Sequence, residues 1–91
     1  MTVHDDPARH RFEAVDESGV RAGILSYTRH GHGVVITHTA VEDAFEDRGV
    51  GSALARVALD AIRADGLTVD PQCPFVRGWI DRHPDYADLV T

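Results

Sequence analysis

Three groups of residues in this chain have the types and placement to do chemistry. In the stretch AFEDRGVGSAL, Ala44 to Leu54, two glycines follow a cluster of acids and precede an apolar periodic run. If that run is a helix, its first backbone N–H groups have no intrahelical acceptor, and the macrodipole adds partial positive charge at the same place. Glycines at 49 and 51 leave the amides of Gly49, Val50, Gly51 and Ser52 bare, so phosphate oxygens can approach them, with Arg48 adding a charge-assisted contact. A glycine-rich turn capped by Asp47 explains the same letters without a ligand.

Cys73 precedes Pro74, a residue suited to the first position of a helix. The thiol would then sit at a helix N-terminus, where the dipole favours the thiolate and makes the sulfur a better nucleophile. A free cysteine is also a common small buried hydrophobe. His38 falls in the β-branched stretch VVITHT, and an imidazole with an ordinary pKa near roughly 6.5 suits proton transfer at neutral pH. The competing reading is a structural histidine bonded to the backbone. His30 and His32 lie in a turn with no third ligand in view, which reads as a solvated loop and not as a metal site.

The elements that must position these groups can be read from periodicity. Residues 1–9 are polar, contain Asp5, Asp6 and Pro7, and show no period, so a loose tail is expected, followed by one domain over 10–91. Arg11 to Val15 alternates, DESG at 16–19 is a turn, and Val20 to Arg29 continues the period of two, with Val20, Ala22 and Ile24 opposite Leu25 and Tyr27. Val34 to Val41 completes three antiparallel strands. Apolar residues at Val50, Ala53, Leu54, Val57, Ala58, Ala61 and Ile62 predict a helix, with Arg63 in its last turn and Gly66 ending it. Leu67 to Asp70 is then a short strand, parallel to the third through a right-handed crossover. A second helix runs from Cys73 to Arg82, anchored by Phe75, Trp79 and Ile80 and stopped by His83 and Pro84. The expected fold is α/β, a mixed sheet of about four strands with two helices.

Composition narrows the functions this fold can serve. The formal net charge is −6, from fifteen acids against nine bases, which disfavours nucleic acid and anionic lipid and makes a cationic partner easier to accommodate. All nine bases are arginine, so chemistry that needs a lysine amine is excluded. The single cysteine allows neither an internal disulfide nor a two-cysteine metal or redox site. No apolar run reaches the roughly 18 residues of a membrane span, and the opening MTVHDDPARHR lacks a signal core, so a cytoplasmic location is expected.

Taken in order, three strands, FEDRGVGSAL leading into a helix, and a further strand resemble the central part of the acetyl-CoA-dependent N-acetyltransferase superfamily. Its pyrophosphate loop has the form Gln/Arg-x-x-Gly-x-Gly/Ala; positions 46–51 match the glycine frame, with Glu46 in the Gln/Arg slot. Together with H-T-x-V at 38–41, C-P-F-V at 73–76 and H-P-x-Y at 83–86, the likeness spans about residues 11–90 and is to very short single-domain members. The resemblance implies acetyl-CoA as cosubstrate, an amine acceptor and no metal. It assigns the cosubstrate to Glu46, Asp47, Arg48, Gly49, Val50, Gly51 and Ser52, with Val41 in the strand that flanks the pantetheine wedge. It also implies that His38 and Cys73 form the active-site pair. Acetyl transfer would proceed by direct attack with His38 as base or through acetyl-Cys73, and the Tyr86 hydroxyl could protonate the leaving thiolate. The small size leaves a second class open, a noncatalytic acyl-CoA-binding or protein-interaction module.

Overall fold

Strand pairing begins earlier than the periodicity indicates. In the computed structural model, which describes residues 1–91, Thr2–Asp6 form β1 and pair antiparallel with β2, Arg11–Val15. The expected loose tail is therefore an edge strand. Val3 alone packs on the core, too little to leave a hydrophobic period, and the rest of its side-chain hold is polar: the Tyr27 hydroxyl donates to the Asp5 carboxylate at 2.6 Å, and His4 Nε2 lies 3.6 Å from Glu13. His10, at φ 54°, turns the chain between the two strands.

β3 (Arg21–His30) and β4 (Gly33–Val41) continue the antiparallel sheet, and β5 (Thr68–Pro71) joins β4 in parallel, giving the order β1-β2-β3-β4-β5. The crossover between β4 and β5 is helix α1, Val50–Ala64, and a second helix, α2, spans Pro74–Arg82. Five strands stand where about four were expected, and the additional one is β1. Short 3-10 turns occupy Pro7–Arg9, Asp43–Phe45 and Pro84–Leu89. No helix is long and apolar enough to cross a membrane.

The core lies between one face of the sheet and the helices. Phe12, Ala14, Leu25, Val34, Ile36 and Val69 meet Val50, Leu54, Ala58 and Ile62 of α1. The sequence places Ala22 and Leu25 on opposite faces, yet both are buried, because Ala14 pairs with Gly23 and Val15 with Arg21, so Ala22 is an extra, bulged residue that resets the alternation of β3. Along α1 the buried face includes Ala55 and Leu59, while Val57, expected inside, is 37% exposed. The reason is that α2 and Pro84–Leu89 cover α1 on a second side, which widens and rotates its apolar face. Arg63 fastens that cover through bonds of 2.8 and 2.9 Å to Asp88 and one of 2.9 Å to the Asp85 carbonyl. Gly66, at φ 70°, ends the helix as expected.

The β1 anchor has a pH signature. Burial, and then the Asp5 carboxylate, push the Tyr27 phenol up to about 12 from its ordinary 10.0. The folded state thus holds the phenolic proton more tightly than the unfolded chain does. This contribution to stability is complete below the unfolded value and is lost as pH rises through the folded one. Ultraviolet difference titration should show Tyr27 ionising later than Tyr in a denatured control, and Asp5→Asn should bring it partway down. An unchanged titration in Asp5→Asn would remove Asp5 from the account.

Candidate active-site cleft

Helix α1 opens without a side-chain cap. Its N-cap is Gly49 at φ 75°, two residues beyond Asp47, which therefore does not serve as the cap. The amides of Gly49, Val50, Gly51 and Ser52 find no acceptor within the protein; the first bond to close runs from Ala53 N–H to the Gly49 carbonyl at 3.0 Å. A left-handed residue followed by helical ones turns successive N–H groups toward one concavity, a backbone nest suited to an anion.

The two glycines serve different ends. A Cβ on Gly49 would meet nothing within 4 Å, so its backbone conformation is what requires glycine. A Cβ on Gly51 would lie 2.7 Å from Phe75 Cζ, so Gly51 makes room for an aromatic ring. Phe75, expected as a core anchor, is 42% exposed and stands beside the loop as a wall. Trp79, one turn further along α2, donates its indole N–H to Ser52 Oγ at 2.8 Å and ties α2 to the first turn of α1.

Between these elements lies a cleft of about 470 Å³. Val41 and Phe45 flank it on the β4 side, and Phe75, Trp79, Arg82 and His83 flank it on the α2 side. Glu46, Asp47, Gly49, Val50, Gly51 and Ser52 complete the lining. Every residue assigned to the cosubstrate except Arg48 therefore meets at one place. The Arg48 guanidinium instead lies 5.6 Å from the centroid of the Phe45 ring.

Cys73 and His38 are not brought together. Cys73 is the N-cap of α2 with Pro74 following, as the sequence suggests, and its N–H donates to the Ile36 carbonyl at 3.0 Å. Pairing of β4 with β5 ends there, at Ile36 opposite Pro71, and the two strands part. The sulfur is 3.4 Å from the Thr39 hydroxyl and the residue is only 4% exposed. Adjacent strand residues point to opposite faces. With Thr39 directed to Cys73 on the helix side, His38 is sent to the open face, where it is exposed and lies across from Ser26.

A profile of the GCN5-related N-acetyl-transferase family matches residues 11–89. The chain belongs to that family. Protein NATD1 of Mus musculus is 28% identical over 85 residues, which cover 92% of this chain and 77% of that protein. The Homo sapiens NATD1 is 27% identical with coverage of 92% and 75%. The solution NMR structure of a GCN5-like protein from Staphylococcus aureus superposes with a TM-score of 0.76 at 20% identity, over 99% of this chain and 87% of that one. Ard1 from Thermoplasma volcanium superposes at 0.58 with 24% identity, over 66% of this chain and 41% of its own.

Within this GCN5-related domain, the matched segment starts at β2, so β1 lies outside it. The α2 wall escaped the reading of the sequence. Its signal is present, Phe75, Trp79 and Arg82 recurring at helical spacing, but periodicity cannot say whether a stripe faces a core or a cleft. Tyr86 is buried away from the cleft lining, its hydroxyl donating to Asp60 at 2.7 Å. That hydrogen bond holds its phenol above the ordinary value. The alternative role for Tyr86, protonating a leaving thiolate, is set aside in favour of joining Pro84–Leu89 to α1.

Proposed function

We propose that this domain transfers an acetyl group from acetyl-CoA to an amine, holding the cosubstrate's pyrophosphate on the amides of Gly49 to Ser52. The observation that carries the reading is the set of four partnerless amides, on residues that line a cleft of about 470 Å³, at a left-handed Gly49. These groups fit an anion: they are backbone donors, bare on the Gly49 side. Glu46 stands where the family pattern has Gln or Arg, so the backbone and not that side chain does the holding. From there the pantetheine arm would pass Val41 toward the point where β4 and β5 part, beside Cys73. Acids at 42, 43, 46 and 47 and the net charge of −6 favour a cationic or neutral amine.

Two routes to transfer use different residues. In the covalent one the Cys73 sulfur bonds to the acetyl carbon as the bond to coenzyme A breaks, and the thiol proton ends on the departing sulfur. The amine then attacks the acetyl carbon, the bond to Cys73 breaks, and the amine proton returns to the Cys73 sulfur. In the direct one the amine attacks the thioester from the open face of the sheet, coenzyme A leaves as a thiolate, and His38, exposed on that face, takes the amine's proton. The burial of Cys73 and its separation from His38 favour a second reading, a module that binds acyl-CoA without turnover.

Amide NMR on adding coenzyme A should move residues 48 to 52; shifts confined elsewhere would overturn the reading. Mass spectrometry with acetyl-CoA alone, before any amine, should show one added acetyl on Cys73 if the covalent route operates. Full turnover in Cys73→Ala with loss in His38→Ala selects direct attack. Binding without transfer to any amine selects the noncatalytic module.

A further inference from the structure

We infer, resting on the coenzyme A reading above, that the C-terminal half of the α2 wall is a subsite for the phosphorylated adenosine end of the cosubstrate, with Arg82 contacting the ribose 3′-phosphate. Phe75, Trp79 and Arg82 stand on one stripe of α2 along the cleft. The order along that stripe matches the order of groups in the ligand. Cys73, at the start of α2, marks the thioester end, and Phe75 stands over Gly51 where the pyrophosphate is held. Arg82 follows seven residues beyond Phe75, about 10 Å along the helix axis.

The guanidinium of Arg82 is directed back along that path. One of its nitrogens lies 3.4 Å from where a Cβ on Gly78 would be, so the side chain folds over the preceding turn, toward the α1 start. It is also free. Arg9, Arg11, Arg21 and Arg63 are held by carboxylates, Arg77 by the Pro71 carbonyl and Arg56 by Tyr86. Arg29, Arg48 and Arg82 have neither a carboxylate nor a hydrogen-bond partner, and of these three Arg82 alone lines the cleft. Beside it, the His83 ring stacks on Trp79 with centroids 3.8 Å apart, and its Nδ1 is 2.7 Å from the Trp79 carbonyl, which fixes a flat surface against which a purine can lie. A phosphate monoester next to an aromatic plate, an anion away from the pyrophosphate, is the chemistry this end can recognise.

Calorimetric titration with coenzyme A and with 3′-dephospho-coenzyme A tests the assignment. The wild-type protein should bind the phosphorylated form about five- to tenfold more tightly, as a partly exposed charge-assisted contact implies. Arg82→Gln should bring the ratio close to one by weakening only the phosphorylated form, Arg82→Lys should restore part of it, and added salt should shrink it. Because Arg82 is exposed, circular dichroism of the variants should match that of the wild type. Equal binding of the two nucleotides by the wild type, or equal weakening of both by Arg82→Gln, would overturn the subsite alone. Failure to bind either nucleotide would overturn the coenzyme A reading with it.

Discussion

Gly49→Val is expected to abolish coenzyme A binding while the domain stays folded. Gly49 sits at φ 75°, and a β-branched residue forced into that region costs of order 1–3 kcal/mol. A domain with an ordinary stability of about 5–15 kcal/mol survives that loss, but the loop relieves it by leaving the left-handed conformation. The amides then no longer converge. Steric exclusion is not the cause, because the new Cβ meets nothing within 4 Å. That separates the prediction from a simple block of the cleft: Gly49→Asn, whose side chain tolerates positive φ, should keep binding within a few-fold. Calorimetry on both variants, with thermal melts as the control for folding, decides the matter. Wild-type affinity in the valine variant would show that the nest is not the phosphate site.

How far the letters alone reach depends on where the information is held. Helix α1 was legible because its apolar stripe repeats over four turns, and its end because Gly66 has one conformational use there. The glycine loop was legible as a place, though not in its division of labour, since nothing in G-x-G says that Gly51 answers to Phe75, twenty-four residues away. β1 was not legible at all: Val3 is its one residue packed on the core, and its other side-chain partners are polar groups of β2 and β3, so it carries no period of its own. The face that His38 takes was hidden for a related reason. Which face a strand residue takes depends on the phase of the strand, and the register shift opposite Ser26 and Tyr27 resets that phase just before Thr39. A motif can place a histidine and a cysteine in adjoining elements without fixing the side of the sheet each one faces.

Trp79→Ala is expected to be the most destabilising single change in the cleft. Trp79 is 1% exposed, and truncating a buried tryptophan costs about 3–5 kcal/mol, a large part of the total. Its ring also stacks on His83, lies 5.2 Å from Tyr86 and carries the Arg56 guanidinium at 5.2 Å, so three neighbouring side chains lose a shared surface. A fall in Tm of roughly 15–30 °C follows for a domain of this size. That result alone would describe any core tryptophan, and Trp79→Phe is the variant that speaks to function. It keeps most of the apolar volume and removes the indole N–H that bonds Ser52 Oγ, at a stability cost of about 1 kcal/mol. Ser52→Ala removes the same bond from the other side, so the two changes should be strongly non-additive in a double-mutant cycle. The bond joins the α2 wall to the first turn of α1, whose amides face the cleft. Loosening it should therefore weaken coenzyme A binding in Trp79→Phe by more than an equally destabilising change far from the cleft, such as Leu59→Val. Equal affinities in Trp79→Phe and Leu59→Val would reduce Trp79 to a core residue and leave the cleft to be shaped by its backbone alone.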